Sequence, residues 1–309
     1  MRLITKSDTS ARRIAAVGMY DGVHAGHRFL LDYLRIEAKG RGLTPSVVTF
    51  SRHPLSLVRP LEAPSLLMSL EDRVGLLGES GADDVILLSF NESLRRMSAR
   101  EFLSMLHRRF GIDALVLGFN NRFGHDGVEG LDHYRAIGQS IGVDVIQAPE
   151  YRGEGSPVSS SAIRRHLMAG RPAEAARMLG TPYTLRGKVV DGQHLGRTIG
   201  YPTANIQPVE PAALIPKTGV YAARVVTPDG VRRGAMVNIG YRPTVTDTSD
   251  SSRAISIEAH IFDFEGYIYD EEITLEFVDY LRPERRFEST GKLKSQLADD
   301  EKKIRRLLS

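Results

Sequence analysis

Gly18-Met19-Tyr20-Asp21-Gly22-Val23-His24-Ala25-Gly26-His27 follows the apolar run Ile14 to Gly18 and leads into Leu30, Leu34 and Ala38, spaced i, i+4, i+8. A strand, a tight turn and a helix in direct succession open an α/β unit. The turn then lies at a helix N-terminus, where unpaired amides and the helix dipole face an anion. His24 and His27 add hydrogen-bond donors of use where charge moves through a phosphoryl-transfer transition state, and Gly26 lets a nucleotide lie close. A His-x-x-His spacing taken alone also serves other chemistry or none; its context favours phosphate.

Working outward, Ser46 to Phe50, Asp84 to Leu88, Ala114 to Gly118 and Val143 to Gln147 are further short apolar strands, dense in Val, Ile or Leu as a buried parallel sheet requires. Ser98-Ala99-Arg100-Glu101 is a capping box opening a helix with Phe102, Leu103, Leu106 and Phe110. The βαβα order predicts a doubly wound, Rossmann-like α/β domain over residues 1–180. Gly180-Thr181-Pro182 breaks the pattern after two short helices. From Tyr183 the period becomes two, in Tyr183 to Val190, Gly219 to Val226, Ile255 to Phe262 and Ile273 to Tyr280, which predicts a small antiparallel barrel over 181–309. Leu293, Leu297, Ile304 and Leu308 mark an amphipathic helix from Glu288 to Leu308 that covers it. Residues 246–252, rich in Ser, Thr and Asp, read as a loop.

The 309 residues are enough for two cores, and the absence of cysteine excludes disulfides, thiolate metal sites and cysteine nucleophiles. No segment has signal-peptide or membrane-spanning character, so a soluble cytoplasmic protein is expected. A net charge of +3 suits small anionic substrates as well as it suits anything larger. Interleaved aromatics and arginines for nucleic acid are lacking. No feature speaks to oligomeric state.

The second half has its own phosphate signal. Gly187, Gly192, Gly196 and Gly200 lead into Pro202-Thr203-Ala204-Asn205. Such glycines admit backbone amides close to phosphate and supply φ > 0, while Thr203 and Asn205 offer neutral oxygens to a hard cation such as Mg²⁺; the other reading is a turn-rich surface hairpin. Val158-Ser159-Ser160-Ser161-Ala162-Ile163-Arg164 sets hydroxyls at a helix start with a guanidinium one turn in, either a triphosphate grip or an N-cap. Thr49 to Pro54 and Gly118 to Gly124, the latter with Asn120, end strands where open α/β sheets bind ligands. Glu258, on the polar face of its strand with Ser256 and His260, is either a base for a substrate hydroxyl or a solvated side chain. Asn238 to Thr244 reads as a turn carrying Arg242; Arg282, Arg285 and Arg286 pair with phosphate or serve solubility.

Taken together and in this order, these motifs resemble the bifunctional bacterial riboflavin kinase/FAD synthetase family across nearly the whole chain. The first half is similar to its FMN adenylyltransferase module through His-x-Gly-His at 24–27, Thr-Phe-x-x-His-Pro at 49–54, Arg-Phe-Gly at 122–124 and Ser-Ser-x-x-Ile-Arg at 159–164. The second resembles its kinase barrel through Gly-Arg-x-x-Gly-x-Pro-Thr-Ala-Asn at 196–205, Gly-Val-Tyr-Ala at 219–222, Glu-x-His-x-x-Asp-Phe at 258–264 and Leu-Arg-x-Glu-x-x-Phe at 281–287. The resemblance implies riboflavin and ATP giving FMN in the second half, then FMN and ATP giving FAD and pyrophosphate in the first, both with Mg²⁺. It implies Thr203 and Asn205 at the metal and phosphates, Glu258 as base, His24, His27, Ser159, Ser160 and Arg164 on phosphates, and Arg164 among the catalytic groups. Gly18, Asp21, Gly22, Asn120, Gly192, Gly196 and Gly200 complete the implied nucleotide contacts, and Arg242, Arg282 and Arg285 the flavin contacts. Tyr20 stands where phenylalanine is usual, Asn120 where aspartate is frequent, Ser161 where threonine is common, and Asp270 where glycine often supplies φ > 0.

Two other readings compete. One is a single active module beside a retained partner; the other is a flavin- or RNA-binding protein without turnover. A tRNA synthetase fragment uses a similar histidine turn, but Lys-Met-Ser-Lys-Ser is missing, as is a Walker loop.

Overall fold

A computed structural model describes residues 1–118, 123–126, 130–153, 157–192, 195–241 and 255–309. Asn120, Asn121, Arg122, Arg242 and the 246–252 loop lie outside the described residues. Contacts group the chain into two units, residues 1–65 with 69–159, and 66–68 with 160–309.

The first unit alternates strands and helices: β1 Arg2–Ile4, β2 Arg13–Val17, α1 Ala25–Arg41, β3 Thr44–Phe50, α2 Leu55–Val58, a 3₁₀ turn Pro60–Glu62, α3 Leu70–Glu79, β4 Asp84–Leu88, α4 Glu92–Arg95, α5 Ala99–Phe110, β5 Ile112–Leu117, α6 Leu131–Ile141 and β6 Asp144–Gln147. The strands form one sheet in the order β1-β4-β3-β2-β5-β6, every neighbour parallel. From β2 the chain runs to β3 on one side and to β5 on the other, so the topological switch lies at the carboxyl end of β2, where the histidine turn begins. The Ser98 capping box of α5 forms as predicted, Ser98 taking the Glu101 N–H and Glu101 reaching back.

At the opposite, amino end of the sheet, Arg13 is wholly buried and gives Nε to Asp84 Oδ2 at 2.8 Å, Nη2 to Asp8 at 2.7 Å and Nη1 to the Phe110 carbonyl at 2.7 Å. Arg2 adds two bonds to Asp84, at 2.8 and 2.7 Å. Burial works against the Asp84 charge, but Arg2 and Arg13 outweigh it and hold the carboxyl below its ordinary range.

In the second unit, α7 Ser160–Met168 and α8 Pro172–Leu179 precede β7 Tyr183–Val190, α9 Leu195–Thr198, β8 Ala204–Pro208, β9 Gly219–Val226, β10 Arg232–Tyr241, β11 Ile255–Ile261, β12 Glu272–Arg282 and α10 Thr290–Leu308. Six strands close into an antiparallel barrel, order β10-β11-β8-β7-β12-β9. Inward positions such as Leu185, Tyr221, Val237, Ile257 and Phe277 share a core with Ile163 and Leu167 of α7 and Leu179 of α8. Outward positions Val220, Ala222 and Met236 pack instead on Ile304 of α10. A helix on one outer face of a closed barrel explains why β9 is buried on both faces.

Two expectations are corrected, and a departure from the family pattern is accommodated. Asn238 to Tyr241 is not a turn but the end of β10, because its glycine serves close approach: a Cβ on Gly240 would run into the Glu284 carboxylate. Of the four phosphate-loop glycines only Gly200 has positive φ, at 86°; Gly187 sits inside β7, where a Cβ would meet Ile206. Asp270 in place of glycine does not distort its turn: it takes φ 66°, with its N–H on Val189 O at 2.9 Å and its carboxylate on Lys188 at 2.9 Å.

Candidate functional sites

In the first unit the turn after β2 is held from below. Gly18 N–H bonds Val48 O at 3.0 Å, Thr49 Oγ1 donates to Met19 O at 3.3 Å, and Arg73 reaches Phe50 O at 2.6 Å. The Thr49-Phe50 pair read as a ligand contact thus anchors the turn. The turn is strained, with Tyr20 at φ 53° and Val23 at φ 34°, neither a glycine, around Gly22 at 91°. Asp21 and His24 are buried within it.

His24 caps α1, its Nδ1 accepting the His27 N–H at 3.3 Å, so its own proton belongs on Nε2. The two imidazoles stack with centroids 3.6 Å apart. Burial pushes His24 down to about 4 and, together with His24, holds His27 well below its ordinary value. Both are neutral donors near pH 7. His27 Nδ1 and the Tyr20 hydroxyl are buried without a hydrogen-bond partner among the described residues. A Cβ at Gly26 would make only ordinary contacts with His24 and Tyr151, so packing alone does not demand glycine there.

Ser159 closes the first unit, whereas Ser160 and Arg164 lie on α7, grouped with the barrel.

In the second unit the barrel register gathers what the sequence scatters. Asn238 of β10 pairs Glu258 of β11, which pairs Asn205 of β8; on the other side Asn238 pairs Val220 of β9, which pairs Arg282 of β12. Directly paired residues share a face, so Arg282, Asn238, Glu258 and Asn205 form one row on the outside of the barrel, beside α10. Thr203, just before β8, brings Oγ1 to 3.5 Å from Glu258 Oε2. His260 donates Nδ1–H to Pro202 O at 2.8 Å and so pins the turn carrying Thr203. A Cβ at Gly192 would collide with the Asn205 amide, while Gly196, in α9, and Gly200 shape the intervening turn.

Two cavities meet at Thr203. One, about 280 Å³, is lined by Val189, Arg197, Thr203, Ile261, Phe264, Ile268 and Tyr269 at the barrel mouth. The other, about 330 Å³, lies between the outer face and α10 and is lined by Thr203, Met236, Asn238, Glu258, Arg282, Arg285, Phe287, Leu293 and Leu297. Arg197, His260 and Asn238 stand within quoted motifs but have no role assigned from sequence; strand pairing sets Asn238 beside Glu258, while Arg197 and His260 line the two cavities that share Thr203.

Residues 6–162 match the FAD synthetase family and residues 179–308 the riboflavin kinase family. The chain is 36% identical over 288 residues to the bifunctional riboflavin kinase/FMN adenylyltransferase of Pseudomonas fluorescens, covering 93% of this chain and 90% of the relative. It is 33% identical over 306 residues to the protein of that description from Listeria monocytogenes, with 98% and 95% covered, and 30% identical over 304 residues to that of Bacillus subtilis, with 98% and 94% covered. A solved structure described as a macrolide-efflux protein from Streptococcus pneumoniae matches with TM-score 0.88 and 28% identity, covering 98% of both chains. Among the described residues, no helix here is long and apolar enough to cross a membrane.

Proposed function

The chain belongs to the bifunctional riboflavin kinase/FMN adenylyltransferase family, and on that premise we propose how its residues divide the two reactions. The kinase is the C-terminal domain and the FAD synthetase the N-terminal one; we assign them residues 181–309 and 1–180.

In the kinase, one observation carries the assignment: Thr203 forms the wall common to both cavities and lies 3.5 Å from Glu258. Glu258 faces the α10-side cavity, so the hydroxyl it deprotonates enters there. Riboflavin's ring then lies against Phe287, Leu293, Leu297 and Met236, with Arg282 and Arg285 at its edge. ATP takes the barrel mouth, its base among Ile261, Phe264, Ile268 and Tyr269 and its phosphates near Arg197 and Thr203. Glu258 accepts the ribityl 5′-hydroxyl proton as that oxygen bonds the γ-phosphorus and the bond to ADP breaks.

Thr203 hydroxyl and Asn205 amide oxygen are the oxygen donors a hard cation prefers, and the Gly192 backbone closing on Asn205 keeps that amide in place. A divalent cation such as Mg²⁺ held by these oxygens would supply charge neutralisation to the triphosphate. Among the described residues no three His, Cys, Asp or Glu side chains converge on a metal, and nucleotide phosphates would complete the ligand set of a cation held there.

In the adenylyltransferase, an FMN phosphate oxygen attacks the α-phosphorus of ATP and pyrophosphate leaves. No protein nucleophile is needed; positioning and charge stabilisation suffice. His24 and His27 donate N–H to the phosphates from the α1 N-terminus, with Gly18, Asp21 and Gly22 shaping the approach and Ser159 adding a hydroxyl. The cytoplasm, with its ATP supply, is the compartment these reactions require.

Incubation of the purified chain with riboflavin, ATP and Mg²⁺, with flavins separated by chromatography over time, tests this reading. FMN rises first and is then converted to FAD. FMN without FAD would leave the N-terminal site silent, and no product would overturn the kinase assignment.

A further inference from the structure

α10 carries Asp300 where its own periodicity calls for an apolar side chain. Leu293, Leu297, Ile304 and Leu308 run along one face, and Asp300 falls on that face between Leu297 and Ile304, wholly buried. A carboxylate survives burial only when partnered. Asp300 Oδ2 accepts Arg282 Nε at 2.8 Å and Nη2 at 2.7 Å, and Oδ1 accepts Gln296 Nε2 at 2.6 Å. Gln296 Oε1 in turn accepts Arg285 Nη2, and Arg282 Nη1 donates to Pro283 O at 3.1 Å. One hydrogen-bonded chain, Arg282–Asp300–Gln296–Arg285, therefore runs behind the wall of the α10-side cavity. Its two ends both lie against Phe287, their guanidinium carbons 5.9 and 4.8 Å from the ring centroid.

We propose that Asp300 and Gln296 are positioning residues for the flavin pocket: from α10 they fix Arg282 and Arg285 against Phe287, so that the cavity meets the flavin with its cationic edge already set. This rests on assigning that cavity to riboflavin. A free arginine loses several rotors on binding; one whose Nε and Nη2 are both held by a buried carboxylate oxygen has lost them beforehand, and the saving goes into affinity. Asp300 also offsets the Arg282 charge, which matters because the substrate is neutral and the product carries a phosphate.

The test is Asp300→Asn in the full chain, reading riboflavin and ATP dependence of FMN formation separately, with FMN adenylylation as internal control. The riboflavin KM should rise about tenfold, the order of a lost positioning contact, with the ATP KM and FAD formation unchanged. Gln296→Met, which leaves the Arg282–Asp300 pair intact, should raise the riboflavin KM less, and it decides alone if Asp300→Asn does not fold. A wild-type riboflavin KM in either folded variant overturns the proposal. Arg282→Ala separates the two layers: if it raises the riboflavin KM while Asp300→Asn does not, the positioning role falls and the pocket assignment stands. If Arg282→Ala also leaves riboflavin unaffected, the pocket assignment falls with it.

Discussion

His24 and His27 lie face to face, their rings 12° from parallel with centroids 3.6 Å apart, at the first turn of α1. Two imidazolium ions could not be held in this way; the stack fits a neutral pair, which in the proposed assignment offers phosphate hydrogen-bond donors rather than charge. The helix N-terminus supplies the positive potential.

A pH dependence follows with a definite sign. The ordinary histidine value is 6.5, and burial pushes His24 down to about 4 and His27 well below 6.5. Below pH 6.5 the unfolded chain thus binds protons that the folded chain refuses, and stability falls as pH falls toward about 4. Thermal unfolding across that range should show the decline, and His24→Gln should flatten it. FMN adenylylation should show no titration near 6.5 from this pair; a rate that climbs on acidification through that value would mean the imidazolium is the active form.

Gly192→Ala places a Cβ against the Asn205 amide. Loss of riboflavin phosphorylation with unaltered FMN adenylylation is expected, and the apparent Mg²⁺ requirement of the kinase should rise. A kinase indifferent to this methyl would show that Asn205 is not a fixed ligand.

At the amino end of the sheet, Asp84→Asn removes the carboxylate that pairs Arg13, leaving a guanidinium buried with less compensation. Destabilisation of about 3 kcal/mol is expected, the order found when one partner of a buried pair is lost. Denaturant unfolding measures it, and a change under ~1 kcal/mol would show that Asp8 and the backbone carbonyls suffice.

What was legible in the sequence follows from how local each signal is. Tyr183–Val190 and Gly219–Val226 emerge with the predicted bounds because alternation and β-branching are read within one strand. β10 was hidden by Gly234, Gly240 and Asn238, residues that signal turns but here admit Phe262 and Glu284 close to the strand. β8, bounded by Pro202 and ending at Pro208, was absorbed into the phosphate loop, and β1 is only three residues long. Glu258, Thr203 and Asn205 were found by motif, but the row that joins them to Asn238 and Arg282 depends on barrel register, which no single segment encodes. Asp300 carries a local signal in the sequence: a lone carboxylate on the apolar stripe of α10.

The central claim is that two separate sites on one chain carry the two steps, Glu258 the first and the histidine turn the second. It is tested most directly by assaying Glu258→Gln and His27→Ala for riboflavin phosphorylation and, separately, for FMN adenylylation. Glu258→Gln should slow FMN formation by roughly 10²- to 10⁴-fold, the span of a lost general base, and leave FAD formation from supplied FMN intact; His27→Ala should do the reverse. Loss of both steps in either folded variant would contradict the division of labour.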